Sequence, residues 1–291
     1  MRHDYKKEGY GCPIGCKYCV VTKVDSRRKL WNKKTIVGLN KAVTIFNPPP
    51  NMDNKNAMKE FYSFPLELFK GDIVGFNAIS DPFWPRYKKE LDYFLKEVSP
   101  IAKLVVCVTK FNLSDSILEK LSHIKNFRLT VSITGLDQLE NTKTKDRLDL
   151  LKRAKQYGIA AFPIIHPYIA EMSNLSFLSE LKKIGYNHID VKGLRYNHEA
   201  MKGWMPIESQ KYYLNTNEKE ILPEDGWREK IKESGLEIMS LKDWYQNNLH
   251  SSPSLDYEES KEYVNKILKY ANMTSSDTDE AVIKASVLRR M

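Results

Sequence analysis

The sequence predicts an α/β fold: a partial (β/α)6 TIM-type barrel followed by a mostly helical C-terminal extension. Three observations carry this. After residue 70, short β-rich runs alternate with amphipathic helical segments, the pattern of a parallel sheet. The runs start about every 25–30 residues, the length of one βα unit. Two of the helical segments stop at a glycine, Gly158 and Gly185, the expected signal just past a helix C-terminus.

The elements follow in order. A short first strand is expected at 5–11, before the first cysteine. A helix is expected around 31–45, then a turn-rich loop or lid at 47–56, NPPPNMDNKN. Strands are expected at 73–79, 103–109, 128–134, 160–165 and 188–191, each rich in β-branched or apolar residues. Between them, 86–98 places Leu91, Phe94, Leu95 and Val98 on one stripe, and 114–124 places Ile117, Leu118, Leu121 and Ile124 on another. Helices at 145–157 and 174–184 complete the set. Six βα units are fewer than the eight of a closed barrel, so one side is open to a bulky substrate. Residues 1–195 form this core. Residues 196–291, with helices expected at 226–234 and 256–271, form an extension packed on the barrel.

Composition agrees with a globular chain: 291 residues, 42% hydrophobic and 29% charged. The longest apolar run, Leu104 to Val108, is far short of the roughly 20 residues of a membrane span. The N-terminal MRHDYKKEGYG has no apolar core of a secretory signal. A soluble, cytoplasmic protein is the expectation. The net charge is +9, and it is localised. Residues 1–50 hold 11 basic and three acidic residues, net +8, whereas the remaining 241 hold 35 and 34, net +1. Lys23, Arg27, Arg28, Lys29, Lys33 and Lys34 make segment 23–34 the basic centre, which suits an anionic partner such as nucleic acid.

Three of the four cysteines fall within GCPIGCKYC, as Cys12, Cys16 and Cys19; the fourth is Cys107. Three clustered thiols leave one unpaired, which argues against a disulfide framework. A structural zinc site needs four ligands, with only His3 or Cys107 to add. An iron–sulfur cluster is also held by thiolates; three of them leave one iron of a four-iron cluster open for catalysis. Pro13 and Gly15 give the loop the conformations needed to wrap such a group.

In α/β barrels the site lies at the C-terminal ends of the strands. Polar residues arrive there on schedule: Asn77-Ala78-Ile79-Ser80-Asp81-Pro82, then Thr109-Lys110, Ser132 with Thr134, His166-Pro167, and Lys192 with Arg195.

GCPIGCKYC, ISDPFWP, VCVTKF and VSITGLD, in that order, resemble the radical S-adenosylmethionine (radical SAM) superfamily, and within it the spore photoproduct lyase-like group. The resemblance covers about residues 9–195. It implies a [4Fe-4S] cluster on Cys12, Cys16 and Cys19. It implies that Ser80, Lys110 and Ser132 bind the methionine part of S-adenosyl-L-methionine, with Lys110 pairing with its carboxylate. A flavodoxin or ferredoxin would donate the electron, and the reaction would be of lyase type on an unidentified substrate. One departure stands out: where that group carries a hydrogen-donating cysteine on the second strand, this chain has Ala78. No catalytic residue is assigned. The alternative reading is a nucleic-acid-binding module with a structural metal, which the basic segment and the clustered cysteines suggest but the βα rhythm does not explain.

Overall fold

The computed structural model describes residues 12–19, 37–40, 43–49, 52–78, 80–195, 203–213 and 220–247. The strand expected at 5–11, the basic segment 23–34 and the helix at 256–271 lie outside them.

Eight strands form one sheet in sequence order: β1 (Val37–Asn40), β2 (Val43–Phe46), β3 (Ile73–Phe76), β4 (Leu104–Thr109), β5 (Phe127–Ser132), β6 (Ala161–Ile165), β7 (His188–Val191) and β8 (Glu237–Ile238). β1 pairs antiparallel with β2, and every later pairing is parallel. Seven parallel strands wound in one direction are barrel-like; a doubly wound sheet would reverse its order. The sheet does not close.

The helices are α1 (Lys55–Tyr62), α2 (Lys88–Glu97), α3 (Asp115–Ser122), α4 (Thr144–Gln156), α5 (Leu178–Ile184), α6 (Ile207–Gln210), α7 (Trp227–Glu233) and α8 (Leu241–Asn247). α2, α3, α4 and α5 fall where the periodicity puts them, and Gly158 and Gly185 follow α4 and α5 with positive φ.

Three expectations are corrected. Residues 37–40 and 43–46 form a β-hairpin, not the end of a helix. Val-Thr-Ile-Phe is β-branched and aromatic, and it gains a parallel ladder with β3. The lid-like stretch at 47–56 ends in a helix. Asn54 caps α1 by accepting hydrogen bonds from the amides of Asn56 and Ala57, and α1 then stacks Phe61 on Phe46 at 4.4 Å. Finally, the βα rhythm does not stop at 196. α7 and β8 add one more unit, so the seven parallel strands among the described residues are five of the six expected ones together with β2 and β8. That two-residue strand is too short to read as a period.

Alternation along the strands separates two apolar regions. Val105 and Cys107 of β4 and Phe127, Leu129 and Val131 of β5 face the helices and join the main core. Leu104 and Val106 face the lumen, where Val43, Ile45 and Tyr245 of α8 cover them. Asp190 of β7 accepts a hydrogen bond from the Leu241 amide at 2.9 Å and so starts α8 inside the barrel. Trp244 stacks on Phe162 at 4.8 Å, and the Tyr245 hydroxyl meets that of Thr130 at 3.1 Å. Gly75 belongs to this packed layer, since a Cβ there would lie 2.8 Å from Ile45 Cδ1. The C-terminal segment thus plugs the floor of the lumen. Val108, one step further up β4 on the same face, is 45% exposed, so the upper lumen is open.

Candidate active site

The cysteine loop lies against the loop that follows β5. The Lys17 amide donates to the Leu139 carbonyl at 3.0 Å, and the Asn141 amide to the Ile14 carbonyl at 3.0 Å. Asn141 Nδ2 donates to the Pro13 carbonyl at 3.2 Å. Gly15 has φ +64°, and a Cβ there would stand 2.6 Å from Asn141 Nδ2. The positive φ favours glycine, and a Cβ would also push the Asn141 amide off the Pro13 carbonyl. Turns close the loop on itself, with Gly15 N donating to Cys12 O and Cys19 N to Cys16 O.

None of the four cysteines is in a disulfide; Cys12, Cys16 and Cys19 are partly exposed, and Cys107 is buried. Burial raises the Cys12 thiol. It pushes Cys16 up to about 12, although the nearby Lys110 ammonium pulls the other way. Thiols in this environment become thiolates when a cationic group joins them. Among the described residues, no group of three His, Cys, Asp or Glu side chains, the three cysteines included, is close enough together to hold a metal ion. The thiol-only donor set suits an iron–sulfur cluster, in which each thiolate takes its own iron. Cys107 faces the helix-side core.

Ser80 sits after β3. Its buried hydroxyl has no nitrogen or oxygen partner; it meets the Cys12 thiol and helps to lower that thiol's pKa against the effect of burial. A buried hydroxyl with spare hydrogen-bonding capacity suits a site that receives a polar ligand. Asp81, next to it, ties the end of β3 to the end of β4. Its carboxylate accepts from the Phe83 amide at 3.0 Å, the Lys110 amide at 2.8 Å and the Thr109 hydroxyl at 2.9 Å. Burial nevertheless pushes it up to about 6. Phe83 is buried in the main core, and Trp84 packs edge-on against Tyr87.

Lys110, at the end of β4, points into a buried polar cluster. Its ammonium donates to the Tyr18 hydroxyl at 2.6 Å, to Glu140 Oε1 at 2.8 Å and to the His166 carbonyl at 3.4 Å. It also lies 5.2 Å from the centre of the Tyr18 ring. Glu140 takes the Tyr18 hydroxyl and the Thr134 hydroxyl on the same oxygen, and the Arg147 guanidinium on the other. Arg147 is fully buried and donates further to the carbonyls of Thr142 and Ser132. Burial alone would raise Glu140; Lys110 and Arg147 overcome it and hold the carboxyl below the usual range. Ser132, at the end of β5, donates to the His166 carbonyl at 3.0 Å.

The structure therefore gathers Cys12, Cys16, Cys19, Ser80, Lys110 and Ser132 around the C-terminal ends of the strands. Lys192 and Arg195 stand at the same end but are paired, with Asp190 at 3.3 Å and Glu220 at 2.9 Å. Sequence reasoning missed Glu140 and Arg147. Glu140 has its distant partners far away in the chain, 122 residues in the case of Tyr18, and Arg147, seven residues from Glu140, reads as a solvated charge near a helix start.

His166 is pushed down to about 3, first by burial and then by Arg195, Lys110 and Lys192. The folded value lies below the ordinary one of about 6.5, so the unfolded chain takes up this proton first. The contribution to stability is complete above the ordinary value and declines as pH falls toward the folded one. The expected result is an imidazole NMR resonance that stays flat between about pH 5 and 8. A midpoint near the ordinary value would contradict this.

No family model matches this sequence, and neither does any curated protein. Solved structures do resemble it. A spore photoproduct lyase complexed with dinucleoside spore photoproduct shares 14% identity over 83% of this chain and 72% of that one, with a TM-score of 0.45. SuiB from Streptococcus suis bound to S-adenosylmethionine shares 12% over 88% and 59%, with a TM-score of 0.43. Likeness at this level concerns the course of the backbone, and the function proposed below rests on the side chains of this chain.

Proposed function

We propose that this protein is a radical SAM enzyme: Cys12, Cys16 and Cys19 hold a [4Fe-4S] cluster, and S-adenosyl-L-methionine binds beside it. The observation that carries the reading is the docking of three thiols, spaced CxxxCxxC and outside any disulfide, over the C-terminal ends of an open parallel barrel. When bound, the cluster supplies one electron to S-adenosyl-L-methionine, releasing methionine and a 5′-deoxyadenosyl radical that takes hydrogen from a substrate.

The chain's own residues bind, orient and exclude water. Ser80, whose hydroxyl has no nitrogen or oxygen partner, and Ser132 take the polar methionine end. Lys110 adds positive charge next to them while remaining engaged with Glu140. The α8 plug closes the lumen from below, and the open space at Val108 receives the substrate. A flavodoxin or ferredoxin is the proposed electron donor, and a nucleic acid reached through segment 23–34 the proposed substrate class. No described helix is long and apolar enough to cross a membrane.

The test is anaerobic reconstitution of the full chain with iron and sulfide, followed by reduction in the presence of S-adenosyl-L-methionine. A brown protein with about four irons that releases 5′-deoxyadenosine supports the reading. A colourless protein that holds zinc and leaves S-adenosyl-L-methionine intact sinks it, in favour of a structural metal.

A further inference from the structure

We infer that Glu140 is a positioning residue for the cysteine loop: clamped between Lys110 and Arg147, it fixes the Tyr18 hydroxyl and thereby the turn from Cys16 to Cys19. The inference rests on the proposed function only in calling that turn a cluster-binding turn.

Four observations meet here. Tyr18 is buried, and its ring packs with Leu136, Leu139 and Tyr213 in an apolar cluster that Cys16 also touches. Its hydroxyl is bonded to both Glu140 and Lys110. Glu140 has no freedom to move, because its two oxygens are held by Lys110, Thr134 and Arg147, and the carboxylate is entirely buried. Its neighbours Leu139 and Asn141 make the backbone bonds that hold Lys17 and Ile14. The same three residues therefore grip the loop through main chain on both sides and through a side chain in the middle.

The energetics favour a positioning role over a purely stabilising one. Three buried charges cost more to desolvate than apolar residues of the same volume. What a carboxylate between two cations adds is direction: it accepts the tyrosine proton at one place only.

Tyr18→Phe tests this directly, because it keeps the ring and leaves the Lys110–Glu140–Arg147 cluster intact. The readout is the rate at which iodoacetamide alkylates each cysteine in the metal-free full chain, followed by peptide mass spectrometry. Losing the hydroxyl's bonds to Glu140 and Lys110 is expected to raise trapping of Cys16 and Cys19 roughly tenfold through easier local opening. Buried Cys107 should keep its wild-type rate. Glu140→Gln should act in the same direction, and where that variant does not fold, Tyr18→Phe decides alone. Unchanged rates at Cys16 and Cys19 would overturn the inference, as would an equal rise at Cys107, which reports global unfolding. In reconstituted protein, Tyr18→Phe should also alter the electron paramagnetic resonance line shape of the reduced cluster. A wild-type chain that takes up no iron would sink the proposed function, yet the alkylation result would still decide the role of Glu140.

Discussion

Cys12→Ala, Cys16→Ala and Cys19→Ala are each expected to purify without colour after reconstitution and to lose S-adenosyl-L-methionine cleavage by more than about a hundredfold. Changing a residue that merely supports a metal ligand costs about 10–100-fold, and removing the ligand itself costs more. The loss should leave the fold intact. The loop is partly exposed, and it is held by backbone bonds from Leu139 and Asn141 that do not involve the thiols. Thermal melts of the three metal-free variants should therefore overlay the metal-free wild type. Cys107→Ala is the control. Its thiol faces the helix-side core, so iron and cleavage should stay at wild-type levels. Full iron in any one of the first three variants would remove that cysteine from the ligand set. Loss of iron in Cys107→Ala with an unchanged melt would add a ligand that the geometry does not provide.

Arg147→Met should produce the largest loss of stability, about 3–5 kcal/mol, because removing one partner strands a buried charge. Met approximates the length of the side chain but donates nothing. The Thr142 and Ser132 carbonyls lose a donor, and Glu140 keeps only Lys110 and two hydroxyls. Urea denaturation of the metal-free protein measures the change, and a loss below about 1 kcal/mol would show that the pair is well compensated by its surroundings. Arg147→Lys should recover little of it. An ammonium is a compact point charge and cannot reach Glu140, Ser132 and Thr142 at once.

The contrast between these two predictions follows what the amino-acid sequence could reveal. The three cysteines are legible because ligand spacing is local: Cys12, Cys16 and Cys19 lie on one short loop, and their chemistry does not depend on where the rest of the chain goes. Glu140 is illegible for the opposite reason. Its meaning comes from Tyr18 and Lys110, which reach it across the barrel, and Arg147 takes its own from that buried carboxylate.

The fold divides in the same way. β4, β5, β6 and β7 and the helices between them could be read from periodicity, since each buries a face whose pattern repeats within the element itself. Residues 43–46 could not, because Val-Thr-Ile-Phe becomes a strand by pairing with β3. The α1 helix was hidden behind Pro, Asn and Asp residues whose local preference is for turns, one of which, Asn54, proved to be its cap. What the sequence by itself determined is the parallel barrel and the cysteine spacing from which the proposed chemistry is read, because residue spacing and hydrophobic period are short-range properties. What only the tertiary structure decided is how the lumen is floored by α8, which face of β4 carries Cys107, and which charges lie beneath the cysteine loop. These depend on contacts between distant segments, where desolvation and packing outweigh local preference.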